Sequence, residues 1–260
     1  MNIIVCIKQV PETSEVRIDP ETKGLVREGV PAIINPFDEN AIEAGVQLVE
    51  EHGGKVTVLT MGPPQAESAL REALAMGADE AVLVTDRALA LSDTLGTSYA
   101  LSCAIQRIGG YDLVVCGKQT FEGDTAQVPP GIAEHLGIPQ ITYVIDLEIE
   151  GNKVRGRRLL EGYYEVVEAR MPVVISVVKQ MNEPRRPGLK NVLAAKKKEI
   201  QVWDAAECDI EVCHCGLDGS PTRVIRTWTP TREQEGEIIE GEPAEAAEEL
   251  AEKLAAEKLV

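Results

Sequence analysis

The segment Val115-Cys116-Gly117-Lys118-Gln119-Thr120-Phe121-Glu122-Gly123-Asp124-Thr125-Ala126-Gln127 carries the sharpest chemical pattern in the chain. An apolar run ends in a glycine, a polar loop follows, and a second glycine precedes a helical pattern. Glycine lets a backbone approach a phosphate closely, and a helix N-terminus presents unpaired amides and the positive end of its dipole. Thr125 adds a hydroxyl, and Pro129 and Pro130 restrict the first helical turn. These residues fit an anion site. They equally fit an ordinary strand–helix loop capped by Asp124 or Thr125, and the residues alone leave both open. There is no G-x-G-x-x-G after the first apolar run and no G-x-x-x-x-G-K-[ST] anywhere, so neither a standard dinucleotide loop nor a P-loop is present.

Other polar or small residues follow other apolar runs. Cys6 and Lys8 follow the first, then Asn35 to Asp38, Met61 and Gly62 after the second, Ser92 to Thr97 after the third, and Gly117 to Val128 after the fourth. Ligands of open α/β sheets bind outside the carboxyl ends of the strands, where such residues converge. Cys213-His214-Cys215, with Cys208 upstream, invites a metal reading, but the spacing is not C-x2-C and adjacent ligands suit a tetrahedral ion poorly. No metal is expected there. His52 and His135 close helical patterns and suit helix C-termini. Lys196, Lys197 and Lys198 with Arg185 and Arg186 make a basic patch without aromatic platforms, which suits an acidic partner surface and not nucleic acid.

The elements that must position these residues are readable. Asn2–Ile7, Lys55–Met61, Ala81–Thr85, Leu113–Cys116 and Ile141–Ile145 are short, β-branched and almost continuously apolar, the mark of strands buried on both faces. Helical patterns lie between them at Asp38–Glu51, Pro64–Met76, Ser92–Ile108 and Thr125–Leu136, several ending at glycine. The alternation predicts a doubly wound, mostly parallel α/β sheet. Residues 15–31 read as a β-hairpin turning at Pro20–Gly24. Beyond residue 146 the strands Asp146–Ile149, Lys153–Arg157, Tyr163–Glu168 and Val173–Val178 follow without helices, an antiparallel extension that returns to the main sheet. A basic loop with a short helix spans 182–198, residues 216–242 show little regular pattern, and Glu242–Val260 is helical. The expected domains are 1–180, an α/β nucleotide-binding domain; 181–242, a recognition loop and extended arm; and 243–260, a terminal helix that either docks or stays solvated.

Composition agrees. Of 260 residues, 44% are hydrophobic but only 3% aromatic, so the core must be aliphatic. The net charge of −17 disfavours nucleic acid and anionic membranes as general partners. From Arg232 onward there are three basic and ten acidic side chains. No apolar run approaches a membrane span of roughly 18–20 residues. The opening residues read as a strand and not as a signal peptide, and the scattered cysteines suit a reducing, cytoplasmic compartment.

Several segments in fixed order resemble the β subunit of electron transfer flavoproteins. They are Cys6-Ile7-Lys8-Gln9-Val10-Pro11, Asn35-Pro36-Phe37-Asp38, Met61-Gly62-Pro63-Pro64, Ala73 to Asp79, Gly117-Lys118-Gln119, and Asn182-Glu183-Pro184-Arg185 through Lys198. No single segment identifies the family; their order and spacing do. One branch of that family holds a structural AMP. The other, which includes electron-bifurcating members, reads Gly-Asp-Thr-Ala-Gln-Val in the loop and binds a second FAD. Gly123-Asp124-Thr125-Ala126-Gln127-Val128 follows the second pattern, with a departure at Pro129, where that branch commonly has glycine.

The resemblance implies roles. Cys6, Asn35, Phe37, Asp38 and Met61 would surround the adenosine. The backbones of Gly117, Lys118 and Gln119 and of Gly123, Asp124, Thr125, Ala126, Gln127 and Val128 would hold phosphates. Thr94 and Thr97 would lie nearer the flavin. NADH would reduce the bound FAD; electrons would pass to ferredoxin or flavodoxin and, through the FAD of the α subunit, to a flavin-dependent dehydrogenase of acyl-CoA or 2-hydroxy acid type. No catalytic acid–base pair is expected. Leu189 would anchor the dehydrogenase beside Arg185 and Arg186, although Leu189 could equally begin a buried face with Val192 and Leu193. Two other readings are a conventional β subunit holding AMP without its own flavin, and a stand-alone nucleotide-binding regulator of the universal-stress type.

Overall fold

The computed structural model describes residues 1–12, 31–226 and 236–260, which divide into two compact units, Met1–Val224 and Ile225–Val260. The hairpin expected over 15–31 falls almost wholly outside the described residues. Its flanks, β2 (Gln9–Pro11) and β3 (Ala32–Ile34), pair antiparallel with Gln9 opposite Ile34.

The first unit is built on a nine-stranded sheet. Its strands are β1 (Asn2–Cys6), β4 (Lys55–Met61), β5 (Glu80–Val84), β6 (Leu113–Gly117), β7 (Gln140–Glu150), β8 (Lys153–Leu160), β9 (Tyr163–Arg170), β10 (Val173–Val177) and β11 (Gln201–Trp203), in the order β11-β5-β4-β1-β6-β10-β7-β8-β9. Pairing is parallel from β11 to β7 and antiparallel through β8 and β9. From β1 the chain builds outward through β4 and β5, then crosses to start β6 on the other side of β1. That reversal leaves a crevice at the carboxyl ends of β1 and β6.

The strands bury both faces, and the period of two splits their side chains between two cores. Ile3, Val5, Val58, Val115 and Ile175 pack under α1 (Pro36–His52) and α2 (Glu67–Met76), with Ile42 and Leu70 facing them. Ile4, Cys6, Leu59, Val114 and Val174 pack under α3 (Thr94–Ile108) and α4 (Val128–Leu136), with Ile105 and Ile132. The near-continuous apolarity of these strands has this cause. Helices α3 and α4 approach so closely that a Cβ on Gly131 would lie 2.6 Å from Ser98 Oγ.

Three elements differ from expectation. Two strands expected on either side of residue 145 are one, β7, because a register shift between Val144 and Asp146 and a left-handed Tyr143 (φ 61°) bend the strand without ending it. Helix α4 starts at Val128 and not Thr125, because Asp124 (φ 50°) and Ala126 (φ 54°) lie outside helical space. Strand β11, too short for an alternation signal, adds to the edge at β5, with Trp203 beneath the Arg107 guanidinium at 4.7 Å.

Residues 182–198 contain α5 (Leu189–Ala195), and residues 216–219 form α6 (Gly216–Gly219), a single turn. The second unit carries α7 (Pro243–Ala256), which buries no residue and pairs Lys253 with Glu249 at 3.0 Å and with Glu237. Among the described residues, no helix is long and apolar enough to cross a membrane.

Candidate nucleotide site

The crevice is assembled by backbone and buried polar bonds. Strand β1 ends in Cys6, and Lys8 follows. The Lys8 carbonyl accepts the Asn35 amide at 2.9 Å, and the Lys8 amide donates to Asp38 Oδ2 at 2.7 Å, which brings the start of α1 back against β1. Asn35 is fully buried. Its Nδ2 donates to the Gln119 carbonyl at 2.9 Å, and its Oδ1 accepts the Phe121 amide at 3.2 Å. The β1–α1 junction and the β6–α4 loop are thus tied to each other by buried hydrogen bonds. Gly117 permits the contact: a Cβ there would stand 2.2 Å from Asp38 Oδ1 and 2.7 Å from the Phe37 carbonyl carbon.

Burial raises the Asp38 carboxyl to about 7, although Asn35, the Lys8 and Gly117 amides and the Lys8 charge all pull it down. Cys6 and Cys116 are register partners on β1 and β6; hydrogen bonding to Cys6 and burial push the Cys116 thiol well up. Met61 is half-buried at the end of β4, where the Gly62 amide bonds the Val84 carbonyl at 3.0 Å. Lys179 lies over the Phe37 ring at 5.4 Å, and Lys118 over Tyr143 at 5.2 Å.

The loop from Thr120 to Val128 has the shape of an anion cradle. The Asp124 amide closes a turn onto the Thr120 carbonyl at 2.9 Å, and the Gln119 side chain bonds the Asp124 carboxylate. Left-handed Ala126 precedes right-handed Gln127 (φ −95°, ψ −21°), an alternation that turns successive amides to one side. The amides of Thr125, Ala126 and Gln127 donate to no other described residue. Pro129 and Pro130 offer no amide, so the donors at this helix start lie ahead of α4 and at its first residue, Val128. Holding Ala126 left-handed costs about 1 kcal/mol or more.

Sequence reasoning missed Glu122. Its side chain is 7% exposed and pairs with the Lys8 ammonium across the crevice, while Oε2 has no hydrogen-bond partner among the described residues. Burial pushes its carboxyl up, but the Lys8 charge and hydrogen bonds more than offset this and hold it below the usual range. A single acidic residue between Phe121 and Gly123 carries no pattern that would single it out.

The start of α3 is bound differently. Asp93 Oδ1 accepts the Leu95 and Gly96 amides at 3.0 and 3.1 Å, and Oδ2 accepts the Thr222 amide at 3.0 Å. The Gly216 amide donates to Ser92 Oγ at 2.7 Å, and the Asp93 amide donates to Ser220 Oγ at 2.8 Å. Residues 216–222, unpatterned in sequence, therefore clasp this helix end. Thr94 and Thr97 sit half-buried beside the clasp, and no hydrogen bond among the described residues joins them to the 117–128 loop.

In the basic loop, Leu189 is 76% exposed and Leu193 is also exposed, so Leu189 does not begin a buried face. Arg186 is exposed. Arg185 is not available in the same way, since its guanidinium bonds Glu43 at 2.8 Å and Glu50 at 2.6 Å on α1. Cys208 and Cys215 are buried, whereas Cys213 and His214 are exposed.

Residues 22–208 match the family model described as the electron transfer flavoprotein domain. An electron transfer flavoprotein subunit beta of Thermoanaerobacterium thermosaccharolyticum is 54% identical over 255 residues, covering 98% of each chain. Protein FixA of Azorhizobium caulinodans is 47% identical over 243 residues, 90% of this chain and 86% of FixA. The caffeyl-CoA reductase-Etf complex subunit CarD of Acetobacterium woodii is 46% identical over 242 residues, 93% of this chain and 92% of CarD.

Proposed function

This chain belongs to the electron transfer flavoprotein family as a beta subunit, and on that premise we propose that it binds FAD in the crevice at β1 and β6 and works within a heterodimer that takes electrons from NADH. The observation that carries the reading is the run of three amides, Thr125 to Gln127, that donate to no other described residue around left-handed Ala126. Three successive amides span about 7 Å, room for two phosphoryl groups. The pattern Gly123-Asp124-Thr125-Ala126-Gln127-Val128 favours FAD over AMP on the same side.

In this reading the amides of Thr125, Ala126 and Gln127 orient the diphosphate, and Lys8 exchanges Glu122 for phosphate oxygen. Asn35, Asp38 and Gly117 fix the floor beneath the adenosine, with Cys6, Phe37 and Met61 as its apolar walls. Lys118 and Gln119 hold the strand end, and Thr94 and Thr97 lie on the side toward the flavin ring. Bound FAD supplies a group that accepts two electrons as hydride and releases them singly, toward ferredoxin or flavodoxin and toward the α-subunit FAD. No proton-transfer residue of this chain is required.

Exposed Leu189, beside Arg186 and Lys190, is the apolar anchor for a flavin-dependent dehydrogenase, with Arg185 stiffening the loop from beneath. The name of CarD places that relative in a complex with caffeyl-CoA reductase, which supports an acyl-CoA-type partner over a 2-hydroxy acid one. Free cysteines suit a reducing cytoplasm. The test is co-expression with the α subunit, then quantification of FAD and AMP released on denaturation. Two FAD per heterodimer and no AMP is expected. One FAD with one AMP would overturn the FAD assignment and leave a conventional electron shuttle.

A further inference from the structure

Glu211, Cys213 and His214 converge on the outer side of the segment that clasps α3. Their ligand atoms all lie within 4.8 Å of one another. Glu211 Oε2 stands 3.5 Å from His214 Nε2 and 4.0 Å from Cys213 Sγ. Zinc bonds of about 2.1 Å to nitrogen and oxygen and about 2.3 Å to sulfur place tetrahedral N and O ligands about 3.4 Å apart, and S and O ligands about 3.6 Å apart. The histidine–glutamate edge already has that length; the thiol must close on the carboxylate by about 0.4 Å and on the imidazole by up to about 1.2 Å, a side-chain rotation for an exposed cysteine.

Linear spacing argued against this site, because Cys213 and His214 are neighbours and no C-x2-C is present. The 3-10 turn at Val212–His214 changes the outcome: the His214 amide bonds the Glu211 carbonyl at 3.0 Å and brings residues three apart onto one side. The turn is held from outside the ligand set. Tyr99 Oη accepts the Glu211 amide at 3.2 Å, and the Tyr99 ring meets His214 edge-on at 5.4 Å. Behind the turn Cys215 is buried with Sγ 3.6 Å from the Gly96 carbonyl, and the His214 carbonyl packs over Gly96. The ligands are exposed, so an ion reaches them without burying charge, and a water completes the fourth position. Thiolate with imidazole selects borderline ions over magnesium or calcium.

We propose that Glu211, Cys213 and His214 form a binding site for a divalent transition-metal ion of zinc type, which fixes the 211–222 segment on the start of α3.

The full-length chain, reduced and stripped with chelator, would be titrated with Zn²⁺ against a chromophoric competitor. One ion per chain is expected, unaffected by excess Mg²⁺. Cys213→Ser and His214→Ala should each abolish competition with the dye, and Tyr99→Phe, which removes the acceptor of the Glu211 amide that holds the turn, should weaken binding about fivefold. With Co²⁺, the thiolate charge-transfer absorption should vanish in Cys213→Ser alone among single cysteine variants. Melting temperatures of metal-free Cys213→Ser and His214→Ala should match the parent, since the ligand side chains are exposed. Absence of stoichiometric binding would overturn the proposal, as would binding that survives both ligand variants and so belongs to Cys103, Cys208 or Cys215.

Discussion

Asn35 Nδ2 donates to the carbonyl of Gln119 across 84 residues of sequence, at 2.9 Å, and so joins the start of α1 to the β6–α4 loop. Asn35→Ala strands both the Gln119 carbonyl and the Phe121 amide, each at about 1–3 kcal/mol. A loss of roughly 2–6 kcal/mol in denaturant unfolding is expected, together with loss of nucleotide from the purified heterodimer. Full nucleotide content in this variant would separate Asn35 from the site.

The Lys8–Glu122 pair competes with any phosphate for the same ammonium. Glu122→Gln frees Lys8 and should strengthen nucleotide retention by roughly fivefold, about 1 kcal/mol. Lys8→Met should weaken it. Dissociation rates of bound nucleotide in both variants decide the point; shifts of the same sign would make the pair purely structural.

Asp38 links stability to pH. Its carboxyl titrates near 7 in the folded chain against 3.8 as a free group, so the folded state holds the proton more tightly. The contribution is full below pH 4 and is lost as pH rises through 7, at most about 4 kcal/mol at 1.36 kcal/mol per pK unit. Urea midpoints of the parent should fall between pH 5 and 8 more steeply than those of Asp38→Asn. Equal slopes would remove Asp38 as the source.

Gly117→Ala forces a Cβ into Asp38 and the Phe37 backbone and should cost about 2–3 kcal/mol with loss of nucleotide. Gly188→Ala meets nothing within 4 Å and should stay within about 0.5 kcal/mol. Thermal melts of the two give the comparison directly.

Arg185 and Leu189 should separate stability from partner binding. Arg185→Ala leaves Glu43, 4% exposed, without its cation and should cost about 3 kcal/mol. Burial pushes the Glu43 carboxyl up, and Arg185 outweighs that to hold it low. Leu189→Ala should leave the melt unchanged and slow electron transfer to the dehydrogenase. A melt shift in Leu189→Ala, or none in Arg185→Ala, would contradict the assignment.

The parallel core, its helices and their glycine stops follow from the sequence, because each is set by local periodicity or by a residue's own backbone preference. So is the family, which rests on short segments in order. Tertiary structure alone decided which side chains face one another. Nothing local says that Asn35 reaches Gln119, that Glu122 finds Lys8, or that Arg185 belongs to α1. Residues 211–222 carry no period, so their place on α3 emerges only when Ser92 and Asp93 accept their amides. The loop before α4 was legible as glycine-rich and polar, but its function depends on the hand of Asp124 and Ala126. Non-glycine residues rarely adopt that hand, and only the packed ends of β1, β6 and α1 hold the loop that contains them.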